Sequence, residues 1–179
     1  MIDYLCDMFT KYTNTWFFTA TINSWQNLLF PDHRKEIIIN ALKYLVEQKK
    51  IKLHAYVIMP NHIHLIFTLL QQPADFGQFQ LSLLRFTAKA LIKDIKEQGN
   101  ENELLPYKST QSDREIHIWE RRPKWIAVIN HPIYLQKLRY IHLNPLQKKW
   151  RLVDAPELYP WSSAGFYSGM NDVEWITPL

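Results

Sequence analysis

LHAYVIMPNHIHLIFTL, residues Leu53–Leu69, is the stretch of sequence that decides the fold. It contains two runs rich in β-branched and apolar residues, Leu53–Ile58 and His62–Leu69, which are separated only by Met59-Pro60-Asn61. A connection this short predicts that the two runs pair as an antiparallel β-hairpin.

Strands and helices alternate on either side of the hairpin. Aromatic and β-branched residues predict a strand over Thr15–Asn23. Helical spacing of apolar residues predicts a first helix that begins at Pro31-Asp32, with Asp32 as its N-cap. The same spacing predicts a second helix over Gln78–Gln98. Glu115–Glu120 is predicted as a fourth strand, and a third helix runs from Pro132 to Asn144-Pro145. The first six elements fit a ferredoxin-like (RRM-like) α+β sandwich, in which two helices cover one face of a four-stranded antiparallel sheet.

The 179 residues are expected to form one domain, with a core over about 15–145 and a C-terminal extension over about 146–179. The extension is predicted to be an irregular tail wrapped over the domain. Glu101–Asp113 is polar and contains Pro106, so it is predicted to be a mobile loop.

Composition narrows the class of protein. Apolar residues make up 47% of the chain and charged residues 21%, which is typical of a globular protein rather than a disordered one. The net charge of +4 is compatible with a polyanionic partner without showing one. The single cysteine, Cys6, excludes an internal disulfide framework and a four-thiolate metal site. Met1–Thr10 does not resemble a signal peptide and no run of 18 apolar residues occurs, so we expect a cytoplasmic protein that does not span a membrane.

His62 and His64 lie two residues apart in a predicted strand, so both side chains project from the same face. Their Cα atoms should be about 6.6 Å apart, a distance at which two imidazoles can bind one divalent ion. Taken alone, the pattern favours the alternative of two half-exposed strand histidines without a ligand.

The third helix places a second group of polar residues together. At 100° per residue, the stripe facing the core contains Tyr134, Leu135, Leu138, Ile141 and His142. Tyr140, Asn144 and Lys137 share a flanking face outside this stripe, with Tyr140 and Asn144 one turn apart. A phenol outside the core, beside an amide oxygen and an amine, can serve as a metal-assisted nucleophile. On geometry alone, Tyr140 could equally be a residue that covers the helix edge.

Four segments resemble the REP-associated tyrosine transposases and their insertion-sequence relatives, the single-tyrosine HUH transposases. Tyr56–Ile66 (YVIMPNHIHLI) resembles the HUH motif, and Leu138–Pro145 (LRYIHLNP) resembles the helix that carries the catalytic tyrosine. Thr19–Trp25 (TATINSW) is similar to the family's first strand, and Pro156–Ala164 (PELYPWSSA) to its tail motif.

The resemblance implies a site-specific endonuclease that cuts and rejoins single-stranded DNA, often beside a hairpin, in DNA transposition or in the processing of REP-type hairpins. Tyr140 would be the nucleophile and would form a 5′-phosphotyrosine, leaving a free 3′-hydroxyl. His62, His64 and Asn144 would hold Mg²⁺ or Mn²⁺. Some relatives are dimers and others monomers, so whether Tyr140 acts in cis or in trans stays open, with a homodimer slightly favoured.

The sequence departs from the family pattern in one place. After Asn144-Pro145 the family usually continues with a small residue and glycine, whereas this chain has Leu146–Trp150 (LQKKW). The resemblance therefore does not define the helix exit or the path of DNA at this point.

Basic and aromatic residues outside these motifs are candidates for DNA contacts. Arg85, Lys89, Lys93 and Lys96 form a stripe along the Gln78–Gln98 helix, and Arg121, Arg122, Lys124 and Trp125 fall in a predicted loop. Lys137, on the tyrosine helix, is a further candidate. A solvated helix face and an ordinary surface loop are the corresponding alternatives. His54, His117 and His142 are expected to be structural.

Three other functions fit parts of the sequence. A domesticated DNA-binding protein on the same fold would bind DNA without cutting it. The intact His62, His64, Tyr140 and Asn144 argue against this function, because decay would be expected to remove them first. An RNA-binding module would need stacking aromatic residues on an open sheet face, where this chain carries histidines. A metal-dependent hydrolase would cut DNA without a covalent intermediate.

Overall fold

The computed structural model describes residues 12–71, 73–108 and 115–179. Its strands are Thr15–Thr21 (β1), Ile51–Ile58 (β2), His62–Leu69 (β3) and Lys124–Ala127 (β4). Its α-helices are Asp32–Glu47 (α1), Phe76–Gln80 (α2), Phe86–Glu97 (α3), His131–His142 (α4) and Ala164–Tyr167 (α5). A π-helical turn, Leu81–Arg85, joins α2 to α3, and 3₁₀ turns cover Asn23–Trp25, Glu101–Tyr107, Asn144–Leu146 and Pro156–Leu158. Cys6, the Met1–Thr10 segment and residues 109–113 of the predicted mobile loop lie outside the described residues.

The four strands form one antiparallel sheet in the order β2-β3-β1-β4. The predicted hairpin is present, since β2 pairs with β3 and the Met59 amide donates to the His62 carbonyl at 2.8 Å. This arrangement confirms the predicted ferredoxin-like α+β sandwich. Strand β3 is paired on both sides, with His64 opposite Thr19 of β1 and Val57 of β2.

Alternation along β3 separates two apolar clusters on the two faces of the sheet. Ile63, Leu65 and Phe67 pack with residues of α1, α2 and α3 on one face. Ile66 packs on the other face with Tyr134 and Ile141 of α4. His62 and His64 share the face of Ile66, so the two histidines lie on the side covered by α4.

The fourth strand starts nine residues and ends seven residues later than predicted. Glu115–Glu120 contributes single bridges, of which Ile22 with Trp119 is one, and the ladder with β1 forms at Lys124–Ala127 instead. Trp125 explains the difference, because in this register its half-buried indole packs 4.7 Å from the ring of Phe18. Lys124 and Trp125, predicted to lie in a loop, therefore belong to strand β4.

Helix α1 buries an apolar stripe that contains Ile38, Leu42 and Leu45. Its N-cap residue, however, is not the predicted Asp32. Pro31 occupies the N-cap position, and the Asp32 carboxylate accepts a hydrogen bond from Lys35 Nζ at 2.8 Å instead of capping the helix. Arg34 is buried as well, because its guanidinium donates to Asp94 of α3 at 2.9 Å and to Glu103.

The second predicted helix begins two residues early and contains the π turn. The extra residue in this turn rotates the following face, so that Leu83 and Leu84 enter the core. Helical spacing in the sequence predicts that Leu81 lies on the apolar face as well, but it is 48% exposed. The segment after it is more ordered than the predicted loop, since Leu104 and Tyr107 of the 3₁₀ turn are buried. Among the described residues, no helix has the length and hydropathy needed to cross a membrane.

Helix α4 is held at both ends and along its length. Asn130 caps it by accepting from the Ile133 amide at 3.0 Å, as Pro132 in the first turn predicts. His142 Nε2 lies 2.9 Å from the hydroxyl oxygen of Ser163, which also accepts from the Tyr56 amide of β2 at 3.1 Å. The C-terminal tail thus fastens α4 to the sheet. Leu135, predicted to face the core, is exposed.

Candidate active site

Four of the predicted site residues meet at the N-terminal end of β3, beneath α4. The ring centroids of His62 and His64 are 4.7 Å apart, and both rings are buried. The ring of Tyr140 lies 5.1 Å from that of His64. Asn144 is buried in the 3₁₀ turn that follows α4, and its side chain interacts with His62. The fold therefore brings together side chains from two segments about 80 residues apart.

The tautomer of His62 is set by its neighbour Asn61. The Asn61 amide nitrogen donates to the Trp25 carbonyl at 3.1 Å, which directs the amide oxygen toward His62 Nδ1 at 2.7 Å. An amide oxygen can only accept, so Nδ1 carries the proton. Nε2 of the neutral ring is then left with a lone pair that can bind a metal ion.

His64 is held by β1. Its Nδ1 lies 2.8 Å from the hydroxyl oxygen of Thr19, directly opposite in the ladder, and its ring stacks on Phe17 at 5.3 Å. Within the described part of the chain, the buried His64 Nε2 has no hydrogen-bond partner. A buried N–H without an acceptor would be costly, so the arrangement favours a proton on Nδ1 and a lone pair on Nε2.

Burial keeps both imidazoles neutral. Burial lowers the pKa of His62 to about 4; the Asn144 side chain acts in the opposite direction, and the charge of Lys149 lowers the pKa further. Burial also lowers the pKa of His64 well below its usual value, and the charges of His62, Lys137 and Lys124 act in the same direction. Near neutral pH both rings are therefore in the form that binds metal ions.

The donor set fits a divalent cation. Besides His64 Nε2, the buried Asn144 Oδ1 has no hydrogen-bond partner among the described residues. Two unpartnered buried acceptors beside the lone pair of His62 are the pattern expected of ligand atoms, because such atoms are otherwise costly to bury. In the ranges that the structure covers, no three His, Cys, Asp or Glu side chains form a metal-binding group.

Tyr140 differs from the other tyrosine of its helix. Its side chain is 45% exposed and meets Phe17 edge-on at 5.9 Å, with Lys137 Nζ 5.1 Å from the same Phe17 ring. Tyr134 is buried, and its hydroxyl lies 2.8 Å from that of Tyr167. Tyr140 is therefore the tyrosine of α4 whose ring lies against His64 while its surface stays open to a substrate.

Six of the candidate DNA-contacting residues lie in two places, and three lie elsewhere. Lys124 and Lys137 lie on the side of His64, where their charges lower its pKa. Arg85 and Arg121 line a groove of about 430 Å³ between the π turn and residues 116–123, and Lys89 and Lys96 line its continuation along α3. Outside these two places, Lys93 is 3.6 Å from Glu97, Arg122 is exposed, and Trp125 packs in the aromatic cluster of the helical layer.

Sequence reasoning missed three residues that hold the histidines. Asn61 lies in the hairpin turn next to His62, where an amide beside a candidate ligand was an available signal. Thr19 and Phe17 alternate on β1 and face the same side as His64, but only the strand register shows that they meet it.

Comparison with known proteins gives the same result as the motifs. No protein-family model matches the chain. The REP-associated tyrosine transposase of Escherichia coli K12 is 22% identical over 165 residues, which cover 90% of this chain and 84% of that protein. The resemblance to the REP-associated tyrosine transposases is confirmed.

One solved structure adds evidence on the fold of this chain. The structure of a REP-associated tyrosine transposase bound to a REP hairpin has a TM-score of 0.61 to this chain at 21% identity, covering 93% of this chain and 92% of that one. A candidate transposase from Deinococcus radiodurans R1 has a TM-score of 0.49 at 13% identity, over 71% of this chain and 87% of that one.

Replacing Asn61 tests how the His62 tautomer is fixed. In Asn61→Ala, Nδ1–H loses its acceptor, so we expect a measurable fraction of the Nε2–H tautomer and a loss of about 1–2 kcal/mol in the free energy of unfolding. Imidazole ¹⁵N shifts at neutral pH in EDTA report the tautomer. Asn27→Ala, which removes an exposed amide from the segment between β1 and α1, is the control and should leave the shifts unchanged. An unaltered His62 spectrum in Asn61→Ala would contradict the assignment.

Proposed function

We propose that this protein is a DNA-processing enzyme that cuts and rejoins single-stranded DNA beside a hairpin, with Tyr140 as the nucleophile. The observation that carries the proposal is the position of the Tyr140 ring, 5.1 Å from the ring of His64, whose buried Nε2 has no hydrogen-bond partner among the described residues. The similarity to a transposase, and to one solved with a REP hairpin, supports DNA as the substrate.

We propose further that His62, His64 and Asn144 hold Mg²⁺ or Mn²⁺. When bound, the ion would draw charge from the scissile phosphate and orient it. Asn61 and Thr19 keep the two imidazoles in the required tautomer through their hydrogen bonds to Nδ1. Lys137 and Lys124 add positive charge on the side of His64, where a phosphate would enter.

The covalent step conserves the energy of the phosphodiester bond. The phenolic oxygen of Tyr140 forms a bond to phosphorus while the bond from phosphorus to the 3′-oxygen breaks. The phenol gives up its proton to solvent, and the leaving 3′-oxygen takes one from water. The product is a 5′-phosphotyrosine that a 3′-hydroxyl can attack in reverse, so strands are rejoined without ATP.

Two structural features bear on the alternatives. Helix α4 covers the sheet face that an RNA-recognition module would leave open for stacking, so this mode of RNA binding is not favoured. Tyr140 lies against His64 of its own chain, which supports action in cis and makes a partner subunit unnecessary for assembling the site.

Replacing Tyr140 tests the nucleophile. Tyr140→Phe keeps the ring contacts with Phe17 and His64, so we expect normal folding and DNA binding but a complete loss of covalent adduct. The readout is adduct formation on a denaturing gel with labelled, hairpin-bearing single-stranded DNA. The matched control is Tyr134→Phe, which removes a hydroxyl bonded to Tyr167 and should retain the adduct. Cleavage without any adduct in the wild-type protein would indicate a hydrolase, and binding without cleavage a non-cutting protein.

Replacing the ligands tests the metal site. His62→Ala and His64→Ala should abolish adduct formation at ordinary Mg²⁺ concentrations. Asn144→Ala removes a weaker, neutral ligand, so we expect residual activity that rises at high metal concentration. A titration of Mn²⁺ against adduct yield distinguishes the variants. If Asn144→Ala matches the wild-type protein throughout, the third ligand is not Asn144.

Charge reversal tests where the DNA backbone lies. The logarithm of affinity for single-stranded DNA should fall with the logarithm of salt concentration by about 0.7 per phosphate contacted. Arg121→Glu with Arg122→Glu should therefore reduce the slope by roughly 1.4 if both residues contact phosphates. Lys49→Glu with Lys50→Glu, before β2 at the opposite edge of the sheet, makes the same charge change and should leave the slope unaltered. An unchanged slope in the arginine variant would favour Arg85, Lys89 and Lys96 instead.

A further inference from the structure

Two tryptophans lie close to His62, whereas the ring of Tyr140 contacts the other histidine of the pair, His64. The ring centroid of Trp25 is 6.4 Å from that of His62, and the ring centroid of Trp150 is 6.1 Å from it. The ammonium of Lys149 lies 5.3 Å from the Trp25 ring and 4.9 Å from the Trp150 ring. These three residues, the tryptophan clamp, come from a turn after β1 and from the segment after α4.

Trp25 is exposed, and its backbone conformation is unfavourable for a residue other than glycine. Trp25 and Ser24 both have left-handed backbone conformations, with φ of 56° and 54°, which are costly for residues other than glycine. The turn is fixed by hydrogen bonds from the Ser24 amide to Glu120 and from the Asn61 side chain to the Trp25 carbonyl. The indole is nevertheless 59% exposed, so its position is not explained by burial in the core.

Trp150 and Lys149 lie in the segment where the sequence departs from the family pattern. The Trp150 amide donates to the Gln147 carbonyl at 2.7 Å, and Arg151 has a φ of 45°, so a second tight turn presents the indole. Lys149 is exposed, and its charge acts on His62. The resemblance to the transposases assigns no role to these residues.

We propose that the tryptophan clamp is a stacking site for a base of single-stranded DNA beside His62, with Lys149 contacting an adjacent phosphate. The inference rests on the proposed function, because its ligand is the strand that Tyr140 would cut. Aromatic rings stack on bases of any sequence, and a cation beside them binds the backbone; this combination is typical of single-strand binding sites. A base held on the His62 side would fix the strand on the side of the site away from Tyr140.

The test compares two fluorescein-labelled 15-mers with the same number of phosphates, (dT)15 and a fully abasic strand, by fluorescence anisotropy in EDTA. Because stacking needs a base, Trp25→Ala and Trp150→Leu should weaken binding of (dT)15 about fivefold or more and leave binding of the abasic strand unchanged. Trp25→Phe should restore most of the affinity. Lys149→Ala should weaken binding of both strands and reduce the salt slope by about 0.7.

The controls come from a second tryptophan–lysine pair. Lys43 Nζ lies 5.8 Å from the ring of Trp175, which stacks on Tyr56, so Lys43→Ala and Trp175→Leu make equivalent changes at another place. Neither should alter binding of either strand. Because Trp25 is exposed, Trp25→Ala decides the outcome even if Trp150→Leu does not fold.

Three results would overturn the inference: wild-type affinity for (dT)15 equal to that for the abasic strand, affinity of Trp25→Ala for (dT)15 within twofold of wild type, or equal losses on both strands. Adduct formation is measured separately. If Trp25→Ala loses affinity for (dT)15 but not for the abasic strand, and the wild-type protein forms no adduct, the stacking site is supported and the proposed chemistry is rejected. An adduct without a base-dependent loss would do the reverse.

Discussion

The hydrogen bonds to Nδ1 of His62 and His64 are the interactions on which the site depends. Asn61 and Thr19 are the partners, and they belong to the hairpin turn and to the neighbouring strand. With the Nδ1 atoms occupied, the ligand capacity of each ring lies at Nε2, inside a buried space between sheet and helix. Burial in turn keeps the rings neutral, so position, tautomer and charge follow from the same packing.

Helix α4 supplies the remaining groups, and its placement depends on the C-terminal tail. Ser163 links His142 of the helix to the Tyr56 amide of β2, while Tyr134 bonds to Tyr167 of α5. Tyr140 and Asn144 are one turn apart on this helix and its 3₁₀ extension, so they move as a unit relative to the histidines. The C-terminal tail therefore fixes the position of the helix that carries Tyr140 against His64.

Basic side chains lie at two places with different surroundings. Lys124, Lys137 and Lys149 lie close enough to the buried histidines to lower their pKa values, so they disfavour the protonated form of these rings. Arg85, Lys89 and Arg121 line the groove beside the π turn, among the helical layer. A π turn changes which side chains face outward, and here it places Arg85 at the groove while Leu83 and Leu84 fill the core.

The sequence alone determined the hairpin, the common face of His62 and His64, and the i, i+4 relation of Tyr140 to Asn144, because these depend on periodicity and short spacing. Tertiary structure decided what periodicity cannot encode. Strand β4 formed at Lys124–Ala127, because Trp125 can reach the aromatic cluster only in that register, and Leu81 left the core because a π turn added one residue. Strand register places Thr19 opposite His64, and a strained turn places Trp25 beside Asn61 and His62. A pattern of residue types shows neither the register nor the turn.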